Sequence, residues 1–136
     1  MIEVKNAKIG QLEEICRVIG IGAKEGMILK RSRQELKELI GKKNFFVAMD
    51  GGKVVGTVCL DFYSKRLSEL RTIFILKEHR GSGIGGKLVE RVLKRAKALK
   101  VKEIMFVTTK KLKPWLKKQG FMQEMHGFKV VFFKKT

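Results

Sequence analysis

Apolar residues recur along this chain with two different periods, and the alternation of the periods outlines a fold. Leu12, Ile15, Val18 and Ile19 share one side of a 3.6-residue repeat, which predicts an amphipathic helix over 10–19. Residues 2–5 before it read as a short strand, and a glycine-rich break, Gly20 to Gly26, follows it. Ser32 with Glu35 three residues on forms a capping-box pattern, which opens a helix whose Leu36, Leu39 and Ile40 share a face and whose end is Gly41. Phe45 to Met49 and Val54 to Leu60 are uninterrupted apolar runs on either side of Asp50-Gly51-Gly52, the pattern of a hairpin. Leu67 to Leu76 reads as a third strand of that group.

The clearest helical stripe is Ile84, Leu88, Val89, Val92, Leu93, Ala96 and Leu99, opposite Lys87, Glu90, Arg91, Lys94 and Lys97, as in a helix lying on a sheet. Ile104 to Val107 is short and apolar enough for a buried strand. A short helix over 112–118 ends at Gly120, and Phe121 to Glu124 with Lys129 to Phe133 form a last hairpin around His126-Gly127. The order β-α-α-β-β-β-α-β-α-β-β predicts an α+β fold, or α/β with a mixed sheet, in layers.

Composition narrows the setting. With 136 residues, 44% of them hydrophobic, and a single Pro, the chain reads as one domain, 1–136, with a sizeable core. No apolar run approaches the roughly 20 residues that span a bilayer, and MIEVKNAKIG is not a signal peptide, so a soluble, cytoplasmic protein without a membrane partner is expected. Cys16 and Cys59 lie in no CxxC or Cys/His cluster, so free thiols and no metal are expected. Lys and Arg number 31 against 13 Asp and Glu, a formal charge of +18. That excess favours anionic partners, although a Lys-rich surface also accompanies heat adaptation. Nucleic acid is compatible with the charge but not favoured, because one Trp and one Tyr offer few stacking surfaces.

The stretch that carries chemistry is Arg80-Gly81-Ser82-Gly83-Ile84-Gly85-Gly86-Lys87, between a strand and a helix. Glycines let main chain approach a ligand closely, and the N–H groups at a helix start, backed by the helix dipole, cradle anions. Arg80 and Lys87 add positive charge suited to a pyrophosphate. The stretch lacks the GK[ST] ending of a P-loop.

The Arg80-x-x-Gly83-x-Gly85 order, within LRTIFILKEHRGSGIGGKLVERVLKRA (70–96), resembles the R/Q-x-x-G-x-G/A signature of the GCN5-related N-acetyltransferases (GNAT superfamily). KPWLKKQGF (113–121) resembles that family's C-terminal helix and Gly-Phe pair. The resemblance implies a central sheet splayed between Arg71–Ile75 and Glu103–Val107, with acetyl-CoA as co-substrate in the splay and no metal. It implies amides of Gly81, Ser82, Gly83, Ile84, Gly85 and Gly86 on the pyrophosphate, and backbone of Ile73, Phe74 and Ile75 on the pantetheine. A main-chain N–H of that strand would polarise the thioester carbonyl.

A narrower resemblance exists in three separated segments. GMILKRSRQEL (26–36), SELRTIFI (68–75) and FVTTKKLKPWLKKQGF (106–121) are similar to the acetyltransferase domain of N-acetylglutamate synthases. It implies L-glutamate as acceptor and a place in arginine biosynthesis, Glu69 as general base, Thr108 as the hydroxyl serving the departing thiolate, and Arg31 as a clamp on the substrate carboxylate, assisted by Lys30 and Lys110. Departures are Lys30 in place of a Pro, one extra residue between Thr108 and Trp115, and a C-terminal VVFFKKT without the Tyr-Asn-x-x-Arg pattern. Leu116 stands where many relatives carry a Tyr acid. Trp115 reads as core packing under the last helix. Transfer to another amine (a protein N-terminus, a lysine, a small amine), a non-catalytic module holding acyl-CoA or RNA, and a homodimer stay open as alternatives.

Overall fold

The computed structural model describes residues 1–108, 112–126 and 129–135, with residues 108, 113, 122–126, 129–133 and 135 by their backbone path alone. The elements are β1 (Ile2–Asn6), α1 (Leu12–Lys24), α2 (Arg33–Gly41), β2 (Phe45–Asp50), β3 (Lys53–Asp61), β4 (Leu67–Ile75), α3 (Ile84–Ala98), β5 (Glu103–Thr108), α4 (Lys113–Lys118), β6 (Met122–His126) and β7 (Lys129–Lys135). The strands form one sheet in the order β1-β2-β3-β4-β5-β7-β6, antiparallel throughout except for β4 with β5. The elements appear in the order the apolar periods predict.

One prediction fails at the glycine-rich break. Helix α1 runs on through Gly20 and Gly22 to Lys24. A Cβ on Gly22 would lie 2.8 Å from Ile28 and 2.9 Å from Phe74, so this glycine lets the helix sit directly on β4 and the chain that follows. Each interior glycine costs a helix roughly 0.5–1 kcal/mol, and here close packing offsets that cost. Glycine marked a contact here, not a stop.

Both faces of the sheet are covered. Phe46, Val58, Leu60, Leu70, Leu88, Val92 and Ile104 build the core beneath α3, while Ile15, Val18, Leu36, Phe45, Val47, Cys59 and Phe74 build the core beneath α1 and α2. Successive residues of a strand point to opposite faces, so β2 and β3 need apolar side chains on both faces, with Gly56 and the buried Thr57 as interior exceptions. That is why their sequences run apolar without alternation.

Two irregularities shape the centre. Strands β4 and β5 pair only at Leu67–Glu69 with Glu103–Met105. Beyond that, β5 keeps its ladder with β7 as far as Thr108, so the sheet opens into a wedge from Leu70 and Phe106 onward. In the same place β4 bulges against β3: Cys59 faces Arg71 and Thr57 faces Phe74, leaving Val58 opposite two residues. Thr72 is in the left-handed region, φ 59°, a strained state for a β-branched residue. The bulge reverses the alternation, so Leu70, Ile73 and Ile75 all face the α3 side while Phe74 faces α1.

Candidate active site

The wedge between β4 and β5 holds two cavities. The first, about 510 Å³, is lined by Ile73 to Ile75, by Arg80, Gly81 and Gly83 to Gly86 at the start of α3, and by Trp115, Lys118 and Gln119 of the α4 region. The second, about 330 Å³, is lined by Met27 to Leu29, Glu69 to Ile73, Phe106 and Val107. Met27, Ile73 and Leu112 line both. The two spaces therefore meet at the β4 bulge.

The first cavity is built mostly from main chain. Gly81 and Gly83 take φ 83° and 81°, which a side chain would strain. Gly83 is the N-cap of α3 with no side chain capping it, so the first-turn N–H groups point outward without helical partners. A Cβ on Gly85 would be 2.9 Å from Cζ2 of Trp115. Indole and helix thus close on each other through a glycine.

This cleft sits within the segment that decides the family. The model of the acetyltransferase (GNAT) family matches residues 19–128. The chain belongs to this family. It is 40% identical over 88 residues to an uncharacterized N-acetyltransferase of Chlorobaculum tepidum, covering 65% of this chain and 56% of that protein. It is 28% identical over 120 residues to the amino-acid acetyltransferase of Aeromonas salmonicida, covering 88% of this chain and 26% of that one. The chain thus spans about half the length of the first relative and a quarter of the second. The N-acetylglutamate synthase of Neisseria gonorrhoeae, complexed with coenzyme A and N-acetyl-glutamate, superposes with a TM-score of 0.87 at 16% identity, over 99% of this chain and 35% of that one. At that identity the likeness is one of fold.

Within this GNAT fold the loop residues divide. Gly81, Gly83, Ile84, Gly85 and Gly86 line the cleft, whereas Lys87 is exposed on α3 and Ser82 turns back to donate to the His79 carbonyl at 2.9 Å. Arg80 lines the cleft, but Nε donates to the Ile75 carbonyl at 2.8 Å, Nη2 to Glu25 at 2.9 Å, and the guanidinium stacks on Phe74 at 5.3 Å. Arg80 staples the loop to β4. Trp115 packs against the core beneath α3, as its sequence context predicts, and also forms a wall of the cleft. Leu116 is fully buried.

The second cavity is built from side chains. Glu69 has 13% of its side chain exposed and accepts a hydrogen bond from the Tyr63 hydroxyl at 2.6 Å. Partial burial, together with that bond, pushes the Tyr63 phenol up to about 12, so at neutral pH it is a donor. Arg71 stands next along the same side of β4, Nε at 3.9 Å from Glu69 and Nη1 at 3.5 Å from Asp61. Thr108 ends β5 with its side chain outside the described residues, as are Thr109 and Lys110. Lys30 lies in the α1–α2 connection without lining this cavity.

Arg31 is engaged by its own chain. Its fork meets Asp61 bidentately, Nη1 at 2.8 Å and Nη2 at 2.9 Å, and only 7% of the side chain is exposed. Nη1 also reaches Thr72 Oγ1 at 3.4 Å and Cys59 Sγ at 3.5 Å, and Nη2 reaches Glu35 at 3.3 Å. Burial alone would lower its pKa, but the Asp61 hydrogen bonds and the surrounding groups outweigh that and raise it. Burial pushes the Cys59 thiol up to about 12, which keeps it neutral. Removing one partner of such a buried pair typically costs about 3–5 kcal/mol.

Sequence reasoning missed Asp61, Arg71 and Tyr63. Their roles depend on contacts across 30 and 10 residues to Asp61 and across 6 residues from Tyr63 to Glu69, and no local motif marks them. Among the described residues no three His, Cys, Asp or Glu gather as metal ligands, and no helix is long and apolar enough to cross a membrane.

Proposed function

We propose that the chain transfers an acetyl group from acetyl-CoA directly to a primary amine within a ternary complex, with L-glutamate the first acceptor to test. The observation that carries this reading is the meeting of the two cavities at Met27, Ile73 and Leu112, one lined by the glycine loop and the other by Glu69. The cleft fits the co-substrate: first-turn amides of α3 for the pyrophosphate, and main chain of Ile73, Phe74 and Ile75 for the pantetheine arm. Their edge has no strand partner because β5 has left β4 by Leu70, although the Ile75 carbonyl on it is taken by Arg80 Nε. The bulge at Thr72 presents backbone at the junction, where an N–H can stabilise the oxyanion.

Glu69 takes the proton that the ammonium must lose before attack, directly or through a water. The amine nitrogen then adds to the thioester carbonyl, the C–S bond breaks, and the thiolate leaves to accept a proton. Thr108, at the end of β5, is the candidate donor. The whole-chain charge of +18 attracts both an anionic co-substrate and an anionic acceptor. The similarity to amino-acid acetyltransferases and to the fold of an N-acetylglutamate synthase supports an amino-acid acceptor.

The test is CoA release from acetyl-CoA with a panel of amines that includes L-glutamate, a polyamine and peptides. Turnover on an amino acid is expected, and Glu69→Gln should lower kcat by ~10²–10⁴ while acetyl-CoA still binds. Turnover unchanged in Glu69→Gln would remove the base. Tight acetyl-CoA binding without turnover on any amine would replace transfer by a binding role.

A further inference from the structure

Two arginines stand near the candidate base, and their surroundings assign them different work. Arg31 has five N–H donors. Four of them face Asp61, Thr72, Cys59 and Glu35, and the fifth, on Nε, is sealed from solvent without a partner among the described residues. Arg31 does not line the cavity that holds Glu69. A substrate carboxylate would have to compete for this fork with Asp61, which already holds it bidentately. The exchange gains no ion pair.

Arg71 is the converse. It lines the cavity with Glu69, a third of its side chain is exposed, and its two ionic contacts are long, 3.5 Å to Asp61 and 3.9 Å to Glu69. Asp61 already gives both oxygens to Arg31 at shorter range, so most of the Arg71 fork is free. Glu69 and Arg71 are two residues apart on one side of the strand, with Arg71 Nε 3.9 Å from the Glu69 carboxylate. That places a cation beside the base, where the ammonium and α-carboxylate of one amino acid could meet both.

We propose that Arg71, rather than Arg31, receives the acceptor's α-carboxylate, and that Arg31 with Asp61 is a buried brace holding the Thr72 bulge. The brace follows from the contacts: Arg31 and Cys59 both reach Thr72 Oγ1, and the Thr57 hydroxyl donates to the Thr72 carbonyl at 2.9 Å. Three side chains thereby hold a strained residue at the junction of the two cavities. The acceptor class is then an α-amino acid, and an amine lacking the α-carboxylate is a poor substrate. This inference rests on the acetyl-transfer reading.

The experiment compares L-glutamate, L-glutamine and 4-aminobutyrate as acceptors for wild type, R71Q, R71K, D61N and D61N/R71Q. R71Q should raise the KM of both amino acids tenfold or more, leave the acetyl-CoA KM unchanged and erase their advantage over 4-aminobutyrate, with R71K recovering part of it. D61N should lower the melting temperature and kcat, and any fall in amino-acid KM that comes from loosening Arg71 should vanish in D61N/R71Q. An amino-acid KM within twofold of wild type in R71Q would overturn the assignment. So would a lower amino-acid KM in D61N that persists in D61N/R71Q, because only a released Arg31 could then be the clamp. Should wild type turn over no amine, the transfer reading fails by itself. Calorimetric titration of L-glutamate into CoA-loaded protein then decides: binding lost in R71Q upholds the assignment, and binding equal in both, or absent in wild type, overturns it.

Discussion

The two cavities that meet at the β4 bulge are built from different materials. The co-substrate side is a loop with four glycines among Gly81 to Gly86, an open strand edge and a helix start, walled by Trp115, so peptide N–H groups are prominent among its donors and its shape depends on the absence of side chains at the glycines. The acceptor side is an assembly of Glu69 and Arg71 from β4, Met27 to Leu29 from the α1–α2 connection, and Phe106 and Val107 from β5. A site made of backbone depends on a short stretch of sequence that can be copied whole. A site made of side chains depends on which distant partners each one meets, and Arg31 shows how one aspartate 30 residues away redirects an arginine.

The largest expected effect breaks the backbone side alone. Gly85→Val drives a branched side chain into Trp115, whose Cζ2 already lies 2.9 Å from the position of a Cβ. The indole must move, and the space open to move into is the cleft that it lines. Acetyl-CoA affinity should fall ~100-fold, about 2.7 kcal/mol, measured by calorimetric titration. The Tyr63–Glu69 hydrogen bond, on the other cavity, is untouched by this change. Wild-type affinity in Gly85→Val would remove the Trp115 wall from the binding cleft.

Legibility in the sequence follows the same division. The helix stripes of α1, α2 and α3 and the apolar runs of β2 and β3 were readable because burial on one face or two writes a period into the chain. The glycine loop was readable because positive φ at Gly81 and Gly83 excludes almost every other residue. The bulge at Thr72 was not, since a threonine in a strand-like run announces no left-handed backbone. Nor was the Asp61–Arg31 pair, because the sequence around Asp61, LDFYS, reads equally well as a solvated strand end. Gly20 to Gly26 was read as a break because glycine is ambiguous without its neighbours in space.

That ambiguity gives the next prediction, a pair within one helix. Gly22→Ala places a methyl 2.8–2.9 Å from Ile28 and Phe74, and Ile28 lines the acceptor cavity. Overpacking of this kind costs about 1–3 kcal/mol, so the melting temperature should drop and the KM values of both substrates should rise, because Phe74 lines the co-substrate cleft. Gly20→Ala meets no atom within 4 Å and removes an interior helix glycine. It should stabilise the protein by about 0.5–1 kcal/mol. Equal effects of the two changes would mean that α1 does not rest on β4 through Gly22.

The last prediction concerns the capping box beside Arg31, which a local pattern in the sequence marks. Ser32 caps α2 as its pattern predicts: its hydroxyl accepts from the Glu35 N–H at 3.1 Å and its own N–H donates to the Glu35 carboxylate at 3.1 Å. Ser32→Ala should cost about 1 kcal/mol and loosen Arg31, the residue just before the cap, while acetyl-CoA affinity stays at the wild-type value. The same box has a pH signature. Hydrogen bonds from the Ser32 backbone and then its side chain hold the Glu35 carboxyl below its usual 4.5, with Arg31 adding to the shift. A carboxyl whose folded pKa is depressed contributes stability that is present above its unfolded pKa and is lost as pH falls through the folded value. Ser32→Ala keeps the backbone N–H and loses only the side-chain bond, so the stability gap between it and wild type, followed by chemical denaturation, should be somewhat wider above pH 4.5 than below it. A gap that holds constant into acid would assign the whole effect to the hydroxyl cap on the Glu35 N–H and none to the Glu35 carboxylate.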